Sequence, residues 1–244
     1  MEPNYILQSY PSVADLSIAA AEMIIDIAIN AVAQRGRFAV SLSGGSTPGQ
    51  LFSLLSTEAY KDRLPWKNTF VFWGDERCVP SNDERNNAYM AKMVLLDKVA
   101  IPFSNIFPVS VDLSPADAAK DYEKSIKDFF GTAATQFDLV LLGMGENAHT
   151  ASLFPGTPVL HEHISLVKEV YVEEQKMFRV TMTAELINQA HNIVFLVTGK
   201  AKAAVLQTVL NEAYQPEKYP AQLIKPGDGK LYWLVDEAAA ALIK

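Results

Sequence analysis

Four short runs in this chain are apolar on both faces rather than on alternate residues, and that pattern restricts the fold more than any other feature. They are FAVSLS (38–43), TFVFWGDE (69–76), FDLVLLGMG (137–145) and NIVFLVTG (192–199). A strand with one wet face alternates apolar and polar residues. A strand apolar on both faces is covered on both, the condition of a central strand in a parallel sheet. Each run ends in glycine or polar residues. VKEVYVE (167–173), FRVTMT (178–183) and LYWLVD (231–236) are weaker strand candidates.

Segments of helical character fall between the runs. Residues 47–60 follow the first strand, with Pro48 in the opening helical turn, where its missing N–H costs nothing. Residues 82–99 follow the second. Residues 114–130 open with Ser-Pro-Ala-Asp, a capping serine with proline at the first helical position. Residues 201–213 follow NIVFLVTG, and 16–32 read as an amphipathic helix ahead of the first strand. Strands alternating with helices predict an open, doubly wound, mostly parallel α/β sheet with helices on both faces. With no internal repeat and no Pro/Ser-rich linker, residues 1–244 are expected to form a single domain.

A net charge of −7 argues against nucleic acid or an anionic membrane as the partner, so any anion site must gather its donors locally. One cysteine, Cys78, excludes an internal disulfide and fits a reducing compartment. The first ten residues, MEPNYILQSY, have neither a basic nor an apolar leader region. The long apolar stretch 16–32 carries Glu22 and Asp26, and no segment reads as long and uncharged enough to span a bilayer. The expectation is a cytoplasmic protein.

In a doubly wound sheet ligands bind beyond the carboxyl ends of the strands, which singles out SGGSTP, WGDERCVP, GMGENAH and TGKAK. In the first, Gly44 and Gly45 allow a tight turn and close backbone approach. The helix start and the hydroxyls of Ser43, Ser46 and Thr47 offer donors to an anion. No Gly-Lys-Ser/Thr follows, so it is not a Walker A loop. A plain β-to-α turn with a capping hydroxyl has the same appearance.

Gly143 to Ala148 satisfies the dinucleotide pattern G-x-G-x-x-G/A, but Pro155 and Pro158 interrupt the sustained helix that such a loop must enter. His149, just past a strand end in this glycine-rich stretch, is placed to act as a base, because imidazole titrates near neutrality. No His or Cys cluster beside it suggests zinc. His161 and His163 read as surface residues.

Asp75, Glu76 and Arg77 sit just past a buried strand, so they either pair with one another or face a polar ligand. Arg77 suits an oxyanion or phosphate oxygen. Cys78 reads as a buried structural thiol in preference to a nucleophile. Arg179 inside an apolar strand needs an anion. Lys200 at a helix start is disfavoured by the dipole unless an anion is near. Both cations make sense around one phosphate.

Taken together, SLSGGSTP, WGDERCVP, GMGENAHTASLFPG, RVTM and PAQLIKP closely resemble the 6-phosphogluconolactonases, hydrolases of the oxidative pentose phosphate pathway related in fold to glucosamine-6-phosphate deaminase. The resemblance covers nearly the whole chain in the family's order, and HTASLFPG is its most specific part. It implies that Ser43, Gly44, Gly45, Ser46 and Thr47, helped by Arg179 and Lys200, hold the 6-phosphate. Asp75 and Arg77 would then contact the sugar ring and lactone end, and His149 would activate the attacking water. No metal or organic cofactor is implied. The partner is a small-molecule sugar phosphate, on a monomer or homodimer.

One departure stands out. The family usually reads Glu-Asp-Gly-His where this chain has Glu146-Asn147-Ala148-His149. Asn147 can orient the imidazole without bringing charge, and Glu146 is the nearby carboxylate that could substitute. Alanine at 148 suggests a turn that does not need positive φ, or one that bends differently. Glucosamine-6-phosphate deaminases resemble the chain less: they carry Phe-Asn-Glu-Pro against Ser152-Leu153-Phe154-Pro155 here, and Asp-Glu-Tyr against Asp75-Glu76-Arg77. A non-catalytic sugar-phosphate sensor is a third reading, though no N-terminal helix-turn-helix precedes the first core strand.

Overall fold

The structure, a computed structural model, describes residues 5–243. Its strands are β1 (Ile6–Tyr10), β2 (Phe38–Leu42), β3 (Thr69–Trp73), β4 (Asp75–Arg77), β5 (Leu139–Leu142), β6 (Val167–Val172), β7 (Met177–Met182), β8 (Asn192–Val197) and β9 (Lys230–Asp236). Its α-helices are α1 (Val13–Arg35), α2 (Ser46–Leu55), α3 (Asn87–Val94), α4 (Pro115–Phe130), α5 (Ala184–Ile187), α6 (Ala203–Asn211) and α7 (Glu237–Ala240).

Six strands form one parallel sheet in the order β1-β9-β8-β5-β2-β3. Every residue of β2 and β5 is buried, which accounts for their unbroken apolar sequences. From β2 the chain winds outward to β3, then returns to place β5 on the other side of β2. The strand order therefore reverses between β2 and β5, and a crevice opens there beyond their carboxyl ends. Core residues of α1 and α2, among them Leu16, Ile24 and Phe52, pack on one face of the sheet. Tyr122 and Ile126 of α4, with the second sheet, pack on the other. The doubly wound, mostly parallel architecture agrees with the reading of the apolar runs.

Several boundaries differ from expectation for local reasons. TFVFWGDE is two strands, because the chain leaves the parallel sheet at Gly74 and continues as β4 in an antiparallel sheet ordered β4-β7-β6. Helix α3 starts at residue 87 rather than 82. The Asn86 side chain caps it by accepting the Tyr89 N–H, while Asp83 and Arg85 close a turn ahead of it. Strand β1 escaped prediction because it is an edge strand with mostly exposed side chains. Helix α1 corrects the bilayer expectation: its 23 residues are long and apolar enough, by length and composition, to cross a membrane. In this fold its apolar stripe of Leu16, Ala20, Ile24, Ala28 and Ala31 is buried against the sheet.

Candidate active site

The carboxyl end of β2 runs into Ser43-Gly44-Gly45 and then α2. Gly44 lets the backbone pass close to Asn87: a Cβ there would collide with the Asn87 side-chain amide and force it to move. Gly45, at φ 103°, occupies the N-cap position and has no side chain with which to cap the helix. The Ser46 and Thr47 N–H groups therefore lack intrahelical acceptors, and Pro48 has no N–H to satisfy. Together with the helix dipole this gives an anion cradle. The Thr47 hydroxyl pairs with that of Thr198, 2.7 Å away at the end of β8, and Ser43 Oγ donates to Gly44 O at 3.3 Å.

Strand β4 contributes the charged wall. Asp75 and Arg179 form a buried ion pair, Arg179 NH1 lying 3.1 Å from Asp75 Oδ2. Ser152 Oγ donates to the same carboxylate oxygen at 2.6 Å, and Asn87 Nδ2 donates to Asp75 O at 2.9 Å. The protein itself thus supplies an anion for Arg179, so its place in a strand does not by itself call for a phosphate, and its side chain borders the cleft as expected. Breaking such a buried pair from one side costs about 3–5 kcal/mol. Glu76 is also buried, and its carboxyl accepts the N–H groups of Arg77 (2.8 Å), Asn87 (2.7 Å) and Ala88 (2.8 Å). Burial pushes it up to about 7 despite those donors. Arg77 donates to Arg85 O at 2.6 Å, and its Nε is buried without a partner. Cys78, half-buried and packed against the core, is pushed up to about 11 by burial, so it is a poor nucleophile.

The stretch after β5 carries no helix that a dinucleotide loop would need; it is a series of turns. His149 stacks on Phe154 with ring centroids 4.0 Å apart. Its Nδ1 lies 2.6 Å from Asn147 Oδ1, and its own backbone N–H donates to that atom at 3.2 Å. An N–H can only donate, so the shared atom is the amide oxygen, and Nδ1 carries the proton. Nε2 is left with a free lone pair. Burial holds the imidazole down to about 4, with Asp75 opposing and the nearby cations reinforcing the shift. The ring is therefore neutral at physiological pH, with its Nε2 lone pair unprotonated.

The backbone here is strained. Ala148 has φ 61° and Ala151 φ 47°, which corrects the reading that alanine at 148 marks a turn without positive φ. Left-handed backbone costs a non-glycine residue about 1–2 kcal/mol. The buried Ala148 methyl recovers about 0.8 kcal/mol of that, the value of one buried methyl-sized group.

These elements enclose a cleft of about 300 Å³, bordered by Ser43 to Pro48, Asp75, Arg77, Asn87, His149, Arg179 and Lys202. A groove of about 800 Å³ adjoins it between α1, α2 and α3, but neither His149 nor Asp75 borders it, so the chemistry belongs to the smaller cleft. Two expected residues lie elsewhere. Lys200 is exposed and does not border the cleft; the cation that TGKAK delivers is Lys202, two residues further along the turn. Burial lowers the Lys202 ammonium, with Glu146 opposing. Glu146 is itself exposed, 4.0 Å from Lys202, and does not touch His149. Asn147 lies behind the imidazole as its orienting group.

Sequence reasoning missed Asn87, Ser152 and Phe154. The last two explain HTASLFPG: Ser152 clamps Asp75, and the Phe154 ring stacks on His149 with the Arg179 guanidinium 5.3 Å from its centroid. Among the described residues no three His, Cys, Asp or Glu side chains cluster in a metal-binding arrangement.

Comparison with known proteins gives the family. Residues 11–233 match the family described as glucosamine-6-phosphate isomerases/6-phosphogluconolactonase. A 6-phosphogluconolactonase of Synechocystis sp. is 41% identical over 213 residues, 86% of each chain. One from Nostoc sp. is 38% identical over 235 residues, 95% of each. The solved structure of the Trypanosoma cruzi 6-phosphogluconolactonase superposes with a TM-score of 0.89 at 29% identity, over 100% of this chain and 98% of that one. The chain therefore belongs to the glucosamine-6-phosphate isomerase/6-phosphogluconolactonase family and stands within it beside the enzymes named for the lactonase.

Proposed function

We propose that this chain hydrolyses 6-phospho-D-glucono-1,5-lactone to 6-phosphogluconate, a step of the oxidative pentose phosphate pathway, with His149 activating the attacking water. The observation that carries the reading is the imidazole itself. It is neutral, its proton is fixed on Nδ1 by Asn147, and its unprotonated Nε2 is on a ring that borders the same cleft as the uncapped α2 N-terminus. A lactone is an activated ester, so a positioned water with a general base is sufficient chemistry, the proton transfer supplying about 10²- to 10⁴-fold.

In this reading the cradle at Ser43 to Thr47 and Lys202 take the phosphate, remote from the reacting carbonyl, and hold the lactone in register. His149 Nε2 takes a proton from water as its oxygen adds to C1. Arg77 is the donor assigned to the tetrahedral oxyanion. Collapse expels the ring oxygen, which takes the proton back from the imidazolium and becomes a hydroxyl. Asp75, whose oxygens are engaged by Ser152, Arg179 and Asn87, serves as the anion that holds Arg179 and shapes the cleft.

The deciding experiment gives the purified protein freshly made 6-phosphogluconolactone and, separately, glucosamine 6-phosphate. Acid release above the spontaneous rate, with no ammonia from the amino sugar, is the expected result. Ammonia release, or no acceleration of lactone opening, sinks the proposal.

A further inference from the structure

We propose that residues 220–225, the PAQLIK part of the late motif, form a positioning strut for His149, acting on the strained turn before it and never touching substrate. The inference rests on the reading of His149 as the base.

Within the turn Thr150 Oγ1 donates to Gly143 O at 2.8 Å and Asn147 Oδ1 accepts from His149. Gly145 N–H donates to His149 O at 2.8 Å and Ala148 N–H to Gly145 O at 3.1 Å, but no helix follows to hold them. The Gly145 backbone lies against the imidazole so closely that a Cβ would fall 2.1 Å from ring atoms. A small shift of the turn therefore moves the ring. The main-chain carbonyl of Ala148, the residue held at φ 61°, accepts the Ala221 N–H at 2.9 Å. Ala148, Ala221 and Ile224 are all buried in one core cluster, so the contact is also a packed one.

The strut is itself tied at its far side. Asn188, at the end of α5, donates from Nδ2 to Leu223 O at 2.9 Å and accepts the Lys225 N–H at 2.7 Å. The Gln222 side chain accepts the Gln215 N–H at 2.7 Å and reaches Ala213 O at 3.3 Å, beyond the end of α6. Two helices outside the cleft thus brace the turn that aims the base. The phosphate cradle, on β2 and α2, receives no hydrogen bond from this segment.

That separation makes the role testable. Replacing Ala221 by lactic acid through semisynthesis turns its N–H into an ester oxygen and leaves every side chain in place. The expected result is a kcat on 6-phosphogluconolactone lower by roughly tenfold, with KM and inorganic phosphate affinity little changed, since misplacing a catalytic group lowers rate and spares remote binding. Nitrogen-15 NMR of the His149 imidazole should pass from a single Nδ1–H form to an exchanging mixture. Asn188→Ala loosens the far end and should reproduce the effect more weakly. Asn188→Asp, which keeps the acceptor for Lys225, should recover part of it. Wild-type kcat with an unchanged imidazole spectrum overturns the proposal, as does a loss shared equally by kcat and phosphate affinity. If the ester variant does not fold, Asn188→Ala decides on the same readouts. A wild-type chain that opens no lactone would fell the proposed function alone, and the imidazole spectra would still decide the strut.

Discussion

The two halves of the cleft are built on opposite principles. The backbone of the cradle at Ser43 to Thr47 comes from one continuous segment: a buried strand, two glycines and the start of a ten-residue helix leave N–H groups unsatisfied. The turn around His149 draws on near neighbours and one distant residue. It has no helix, two alanines in left-handed backbone, and supports from Asn147, Phe154 and Ala221. A binding site for a symmetrical charged group tolerates a standard part. In the proposed reading a base must meet one water at one angle, and its orientation comes from packing on Phe154, the adjacent Asn147 and one long-range hydrogen bond from Ala221.

That contrast can be broken from either side. His149→Ala should have the largest effect, a kcat loss of about 10²- to 10⁴-fold in lactone hydrolysis. Phosphate binding, measured by calorimetry, should survive it, and full retained activity would refute the assignment of the base. Arg179→Ala strands the buried Asp75 carboxylate and should destabilise the fold by about 3–5 kcal/mol in denaturant unfolding. A change under about 1 kcal/mol would mean that the pair is not buried as described. Gly44→Ala forces the Asn87 amide away from Asp75 and should cost about 1–3 kcal/mol of stability, the usual overpacking penalty. It should weaken phosphate binding and leave His149 untouched.

Asn147→Asp should have the smallest effect and the most informative one. A carboxylate beside Nδ1 should raise the His149 midpoint from about 4 by about 1–3 units and raise kcat a few-fold. The sign of the wild-type linkage follows from the lowered value. Between about 6.5, the unfolded value, and about 4, the unfolded state holds a proton that the folded state does not. His149 therefore costs no stability above pH 6.5 and drains stability as pH falls through that window. Imidazole NMR titration, with unfolding followed at several pH values, checks both points, and a midpoint near 6.5 would contradict the buried neutral ring.

The same contrast explains what could be read from sequence. Residues 38–42 and 46–55 announce themselves by continuous apolarity, glycine and helical spacing, so β2, the glycine turn and α2 were legible. Lys202 was mistaken for Lys200 because the chain passes through a short tight helical turn after β8, and a shift of two residues there decides which side chain faces the cleft. The left-handed φ of Ala148 was hidden because alanine gives no turn signal, and the holding bond comes from a residue 73 positions away in the numbering of the chain. Asn87 and Ser152 carry ordinary local sequence; their roles exist only once β4, α3 and β7 meet. Edge strand β1 lacked a buried face to betray it.

Gly74 alone separates β3 of the parallel sheet from β4 of the antiparallel one. Its N–H donates to Leu42 O at the end of β2, 3.0 Å away, and its carbonyl accepts the Met182 N–H at the end of β7, 2.8 Å away. The chain thus changes sheets with no slack. A linker of several residues between the two sheets would have let the enzyme shut over its substrate as a jaw shuts. A single residue bonded on both sides makes the junction a rivet. The spacing of the cleft's walls at this corner is therefore set by two backbone hydrogen bonds, one to each sheet.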